Sequence, residues 1–253
     1  MSPPALPELP IRYFEASAMM AVFPAPLAEL ERRTPAGLEV VPLWPGRAPL
    51  VISCFDYLSS TAGAYGEIGV SWPVVTQRRL RVPVLPLLFE TRWPTLGFWV
   101  HRLPVTTDLA LRAGRTLWGY PKTLAQIDYD WRQAHRRCRW SEDGAEVLTL
   151  TLDTRMPARP ERFPVVTYSQ LGAELLRTRI QVDAVGLRRR AHGAAALTLG
   201  PHPAGRELAS LGLDRAEAMQ VRWYPTWRAE LPRAEWRTPA QGSAAAPAAR
   251  GAA

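Results

Sequence analysis

One lysine stands in a chain of 253 residues. It is Lys122, in the run Ala113-Gly114-Arg115-Thr116-Leu117-Trp118-Gly119-Tyr120-Pro121-Lys122-Thr123-Leu124, and every other one of the 31 Lys+Arg residues is arginine. A guanidinium, with a pKa above about 12, never offers a free amine nucleophile. A primary amine on a flexible stem does, once it is unprotonated, and with a ketone it condenses to a Schiff base. Leu117, Trp118, Tyr120 and Leu124 supply apolar surface around that amine. Pro121 fixes φ just before it, and Gly119 allows a tight turn. A lone lysine in an arginine-rich chain reads equally well, from composition, as a surface residue. A free lysine titrates near about 10.4, so the reactive reading needs burial, which can lower a lysine by about 3–5 units.

The segment Gly114-Arg115 … Tyr120-Pro121-Lys122 … Leu124 resembles the stretch around the Schiff-base lysine of the acetoacetate decarboxylase family. Three further segments follow the same pattern in the same order. Leu38-Glu39-Val40 after Pro35 resembles its early strand entry. Tyr65-Gly66-Glu67-Ile68-Gly69 with Pro73-Val74 resembles its acidic pocket segment, and Leu231-Pro232-Arg233-Ala234-Glu235 its closing strand. The similarity covers roughly residues 10 to 238.

The resemblance implies a carboxy-lyase that decarboxylates a β-keto acid through an imine on Lys122, using its own amine and no cofactor. It implies catalytic roles for Lys122 and Glu67, and a substrate-binding role for Arg12 at the substrate carboxylate. Read from its glycine-flanked neighbourhood alone, Glu67 fits a solvated strand-end carboxylate as well as a proton-handling partner of the imine. The chain also departs from the family pattern. Thr123 replaces a second lysine, Thr116 replaces a glutamate, and an acidic position expected near Ile52 or Ser53 is missing. These losses keep two alternatives open: a Schiff-base aldolase–dehydratase acting on pyruvate-like keto acids, and a non-catalytic binder of a small hydrophobic acid.

The elements that must carry these residues are mainly strands. Leu38 to Trp44, Leu50 to Leu58, Tyr65 to Gln77 (interrupted at Pro73), Val84 to Glu90 and Phe98 to Leu103 read as strands, the second apolar enough for burial on both faces. A loop falls at Trp93-Pro94-Thr95 and another at Ser59 to Gly63. Thr107 to Gly119 is the clearest helix, capped by Thr107 or Asp108 and stopped by Gly119, which puts Lys122 just past a helix C-terminus. Beyond it, Gln126 to Trp131, Arg137 to Trp140 and Glu146 to Leu152 alternate as strands, with Ser141-Glu142-Asp143-Gly144 as a hairpin turn. Tyr168 to Val185 finishes as a strand, Ala194 to Leu199 is another, and Ala218 to Trp223 and Arg228 to Leu231 close the sheet. Short helices fit Ala25 to Arg32 and Arg206 to Gly212.

About ten hairpin-linked strands with a few short helices predict a mainly β (α+β) protein, an antiparallel barrel or double sheet. The resemblance implies that this barrel is cone-shaped, encloses a pocket and assembles as a homo-oligomer. The expected organisation is an extended N-terminal segment over 1–10, one domain over 11–238, and a disordered Ala-rich tail over 239–253.

Composition narrows the function further. With 47% hydrophobic residues but no apolar run of membrane-spanning length, no membrane segment is expected. Met1 to Pro7 lacks the basic and apolar regions of a secretory signal, and Cys54 and Cys138 suit buried thiols in a reducing cytoplasm. The net charge of +8 is spread along the chain without a nucleic-acid motif, so a small keto acid, not nucleic acid, is the expected partner. His101, His135, His192 and His202 lack metal-ligand spacing, so no metal is expected.

Overall fold

The computed structural model describes residues 5–76, 95–131, 135–153, 159–190 and 194–239. Seven strands close into a barrel: β1 (Ile11–Pro26), β3 (Arg47–Ser60), β4 (Tyr65–Val75), β5 (Gly97–Arg102), β9 (Arg159–Leu171), β10 (Glu174–Arg190) and β12 (Gln220–Leu231). The ring runs β12-β1-β3-β4-β5-β9-β10 and is shut by the β10–β12 pair. Every pairing in it is antiparallel except one: β5 runs parallel to β9, with Phe98 opposite Thr167 and Trp99 opposite Tyr168. Two short strands attach to the wall, β2 (Glu39–Val40) on β4 and β13 (Trp236–Pro239) on β10. A second sheet has the order β11-β8-β7-β6, built from β6 (Gln126–Asp130), β7 (His135–Glu142), β8 (Ala145–Asp153) and β11 (Ala195–Leu199). The helices are α1 (Leu27–Arg32), α2 (Asp108–Trp118) and α3 (Pro203–Ser210).

Local chemistry explains most boundaries. The β7–β8 turn sets Asp143 at φ 48° and Gly144 at φ 76°, the two positive values a type I′ turn needs, and Asp-Gly tolerates both. The apolar stretch of β3 is buried without interruption from Ala48 to Cys54, as its composition predicts. Several expectations differ from the fold in extent. The predicted strand Leu38 to Trp44 shrinks to Glu39–Val40. Pro73 does not interrupt β4: it pairs with Phe98, and its carbonyl accepts from Val41 N at 3.0 Å. The stretch Tyr168 to Val185 splits into β9 and β10 at Gly172 (φ 60°), and β12 runs unbroken through Pro225. The expected strand Val84 to Glu90, most of the loop at Trp93-Pro94-Thr95, and the tail over 240–253 lie outside the described residues.

Two cores result. One joins the second sheet to the barrel wall, setting Trp140, Leu148 and Leu150 against Met19, Ile52, Ile68 and Trp72, all fully buried. Cys54 and Cys138 are buried free thiols within it. The other core is drawn from the barrel strands, α2 and adjoining loops, and it is aromatic: Tyr13, Tyr57, Tyr65, Trp118, Tyr120, Tyr224 and Trp227. Among the described residues no helix is long and apolar enough to cross a membrane, and no group of three His, Cys, Asp or Glu could hold a metal ion.

α3 is tied to the barrel by one carboxylate. Glu207 accepts from His101 Nε2 at 2.7 Å and from Arg102, with Arg33 Nε at 3.8 Å. The His101 hydrogen bond, ahead of the opposing effect of burial, and then Arg102 pull the Glu207 carboxyl down to about 2. Its folded-state pKa is therefore below its unfolded value, so this stabilisation is complete above about 4.5 and is lost as pH falls toward about 2. Glu207→Gln should flatten the acid limb of a stability titration over that window. At neutral pH it should cost about 2 kcal/mol, a Tm drop of roughly 4–8 °C. An unchanged acid limb in thermal unfolding would contradict this role for Glu207.

Candidate active site

The run that carries Lys122 is placed by the end of α2. Thr107, in an extended conformation, caps the helix start by accepting from Ala110 N. At the other end Gly119 takes the left-handed conformation (φ 62°), which stops the helix and turns the chain back. Lys122 N then donates to Tyr120 O at 2.8 Å, a three-residue turn that Pro121 pre-forms through its fixed φ. Arg115, one helical turn before the cap, donates from Nε to Lys122 O at 2.8 Å and fixes the backbone there.

Glu67 lies 55 residues earlier, near the start of β4, and the chain between 103 and 106 bridges the two. On one side Ile68 N donates to Pro104 O (3.0 Å) and Thr106 N to Gly66 O (3.1 Å). On the other, Leu103 N donates to Pro121 O (3.3 Å), Val105 N to Thr123 O (2.8 Å), and Ala125 N to Val105 O (2.9 Å). Tyr129 pins Glu67 from the second sheet: its hydroxyl accepts from Glu67 N at 3.2 Å and donates to Phe55 O at 2.6 Å. A ladder of backbone bonds thus sets two side chains face to face. Lys122 Nζ donates to Glu67 Oε2 at 2.7 Å, with Lys122 5% and Glu67 8% exposed.

The walls are phenols. Nζ sits 5.4 Å from the centroid of the Tyr65 ring, inside cation–π range. Tyr57 Oη donates to Glu67 Oε1 at 3.5 Å, Tyr13 and Tyr65 share a hydroxyl–hydroxyl bond of 2.9 Å, and Tyr120 pairs with Thr167 Oγ1 at 2.7 Å. Burial, and after it the Glu67 charge among other effects, raises the Tyr13, Tyr57 and Tyr65 hydroxyls well above the ordinary phenol value. Burial likewise lifts Tyr120 to about 12. All four are therefore neutral hydrogen-bonding groups at neutral pH.

The predicted residues fare unequally. Lys122 and Glu67 come together, and Glu67 is no solvated strand end: every residue from Tyr65 to Val70 is buried. Arg12 is not brought to them. It is exposed on β1 between buried Ile11 and Tyr13, so strand alternation turns its side chain away from the face that Tyr13 shares with Tyr65. Its backbone N donates to Thr61 Oγ1 instead, at 3.1 Å. Thr123, at the position of the family's second lysine, points to the second sheet and donates to Glu142 Oε1 at 2.8 Å. Leu124, expected in the apolar shell, is 49% exposed.

The side chain from β3 that reaches Glu67 is Tyr57, a neutral phenol four or five residues beyond Ile52 and Ser53. Sequence reasoning does not find Tyr13, Tyr57 or Tyr129. The signal available is their number, since five of the seven tyrosines in the chain (13, 57, 65, 120 and 129) take part in this site.

Gly114 completes the geometry. It lies in α2 against the lysine stem, where an added Cβ would overlap Cδ and Cε of Lys122 and sit 3.2 Å from its Cγ. The absent side chain is the slot in which the lysine lies.

Known proteins share this fold. The acetoacetate decarboxylase family model matches residues 1–229. An acetoacetate decarboxylase from Legionella pneumophila superposes with a TM-score of 0.65 at 16% identity, over 92% of this chain and 90% of that one. An acetoacetate decarboxylase-like enzyme from Sphingomonas wittichii RW1 gives 0.60 at 16% identity, over 95% and 97%. The enduracididine biosynthesis enzyme MppR, solved with the condensation product of pyruvate and imidazole 4-carboxaldehyde, gives 0.60 at 13% identity, over 94% and 90%. No curated protein matches in sequence. At these identities the solved structures bear on the fold, and the family model, spanning most of the length, settles membership: the chain belongs to the acetoacetate decarboxylase family.

Proposed function

We propose that the chain is a Schiff-base-forming carboxy-lyase that decarboxylates a β-keto acid on Lys122. The observation that carries this reading is the buried 2.7 Å contact between Lys122 Nζ and Glu67 Oε2. Attack on a ketone needs the amine without its proton, and the carboxylate in contact with it gives that proton a place to go. Nζ then bonds to the ketone carbon, the hydroxyl leaves as water, and a protonated imine remains. The bond to the carboxylate carbon breaks, CO2 departs, and the electron pair moves through the new C–C double bond to nitrogen. Glu67, its first proton having left with that water, takes one proton from solvent and passes it to the enamine carbon, and water hydrolyses the imine to free the ketone and the amine. The steps need no cofactor. A small keto acid is the partner in this reading, and a homo-oligomer the expected assembly.

The same amine can serve an aldolase–dehydratase acting on pyruvate-like acids, and the phenol wall favours keeping that reading. A wall of neutral hydroxyls can meet an aldehyde without adding charge near the imine. MppR, whose complex holds a condensation product of pyruvate, has the same fold. Carbon dioxide release from acetoacetate, against consumption of pyruvate with an aldehyde, separates the two.

Lys122→Arg keeps the charge and the salt bridge but cannot condense with a ketone, so turnover should fall to background. Glu67→Gln should lower turnover by about 10²- to 10⁴-fold, the range of general acid–base catalysis. Full activity in either folded variant would remove that residue from the reaction. Gly114→Ala sets two effects against each other. Helix propensity alone favours alanine by about 1 kcal/mol, whereas the added methyl displaces the lysine stem, and a misplacement of about 1 Å can cost 10²-fold in rate. The variant should lose about 10- to 100-fold in kcat with little change in KM. A fully active Gly114→Ala would show that the slot is not needed.

A further inference from the structure

We propose that Tyr57 is a positioning residue that holds Oε1 of Glu67, leaving Oε2 as the oxygen that exchanges a proton with Lys122. The inference rests on the reading of Lys122 and Glu67 as the reacting pair, and it adds a residue that neither the family motif nor the chain's own spacing marks. The two carboxylate oxygens are divided between partners: Oε2 receives Nζ at 2.7 Å, and Oε1 faces Tyr57 Oη at 3.5 Å. That second contact is long, as catalytic hydrogen bonds often are before substrate tightens them.

Other hydroxyls near Glu67 have their own partners. Tyr13 and Tyr65 bond to each other, Tyr120 bonds to Thr167, and Tyr129 takes the backbone N of Glu67 while donating to Phe55 O. Tyr57 has Glu67. Its ring is held in place by its neighbours. It is 6% exposed, lies 4.2 Å from the Tyr13 ring and 4.8 Å from Tyr65, and stacks within 2° on Phe55 at 5.6 Å. A phenol held neutral is a donor that keeps its hydrogen, and a donor to a carboxylate favours the ionised carboxylate. Tyr57 thus performs from β3 what a second acid cannot. It steadies Glu67 as an anion in the presence of the amine without competing for the proton.

The chain offers a direct readout, because its lone lysine gives one signal when the protein is labelled with lysine carrying ¹³C at Cε. That signal, followed against pH in the unliganded protein, reports protonation of Glu67 as an acid limb, with Lys122, Tyr13, Tyr57, Tyr65 and Tyr120 the titratable groups facing the carboxylate. Tyr57→Phe keeps the stacked ring and removes the hydroxyl, and should move the acid limb to higher pH. Tyr13→Phe, which leaves Oε1 untouched, should move it far less. If Tyr57→Phe does not fold, difluorotyrosine placed at 57 keeps the shape and strengthens the donor, and the limb should shift down instead. An acid limb that coincides with wild type in folded Tyr57→Phe or in the fluorinated protein would overturn the proposal. The titration needs no substrate, so a chain that forms no imine would defeat the Schiff-base reading while this measurement still decides on Tyr57.

Discussion

Taking an ammonium and a carboxylate out of water costs several kcal/mol for each ion, and a single good contact offsets that only in part. The Lys122–Glu67 pair, with both residues under a tenth exposed, carries that cost at the centre of the fold. Apolar side chains of similar volume in the same places would commonly be neutral, or stabilising by about 1–4 kcal/mol. Stability therefore does not account for the pair. The proposed function accounts for it: in that reading the two are a nucleophile and its proton acceptor, held in contact away from bulk water.

Much of the surrounding structure reads as the means of keeping that pair in register. The segment 103–106 hydrogen-bonds to β4 on one side and to the Lys122 turn on the other, so the two carriers cannot slide independently. The left-handed Gly119 and the Pro121 turn aim the lysine, Gly114 leaves room for its stem, and Arg115 anchors its carbonyl. The second sheet contributes at a distance. Tyr129 reaches from β6 to the Glu67 backbone, and Glu142 on β7 ties down Thr123 beside the lysine. Thr123 thus serves as a tether to the second sheet, and the phenol wall lies around the amine.

How far this is legible in the sequence depends on the range of each determinant. The α2 helix with its caps and the Asp143-Gly144 turn are encoded within a few residues, and the local pattern places both correctly. Lys122 announces itself by being unique in an arginine-rich chain, and Glu67 by the run around it. Arg12 is misplaced because one residue of strand register decides which face a side chain takes, and loose spacing cannot fix register. The parallel β5–β9 seam and the contact of Tyr57 with Glu67 are set by barrel closure and cross-strand pairing, which no local pattern records. Pro73 reads as a break because a proline removes a donor, yet its carbonyl still accepts from Val41 N beside β2.

The central claim is that the amine of Lys122 is a nucleophile toward keto acids. Its most direct test is the intact mass of the native protein after incubation with acetoacetate or pyruvate and borohydride, followed by peptide mapping. Because the chain has one lysine, the amino terminus is the sole other primary amine, and the two fall in different peptides. The account predicts one stoichiometric reduced adduct on the peptide that contains Lys122. An unmodified Lys122 peptide with both acids, from protein shown to be folded, would contradict it.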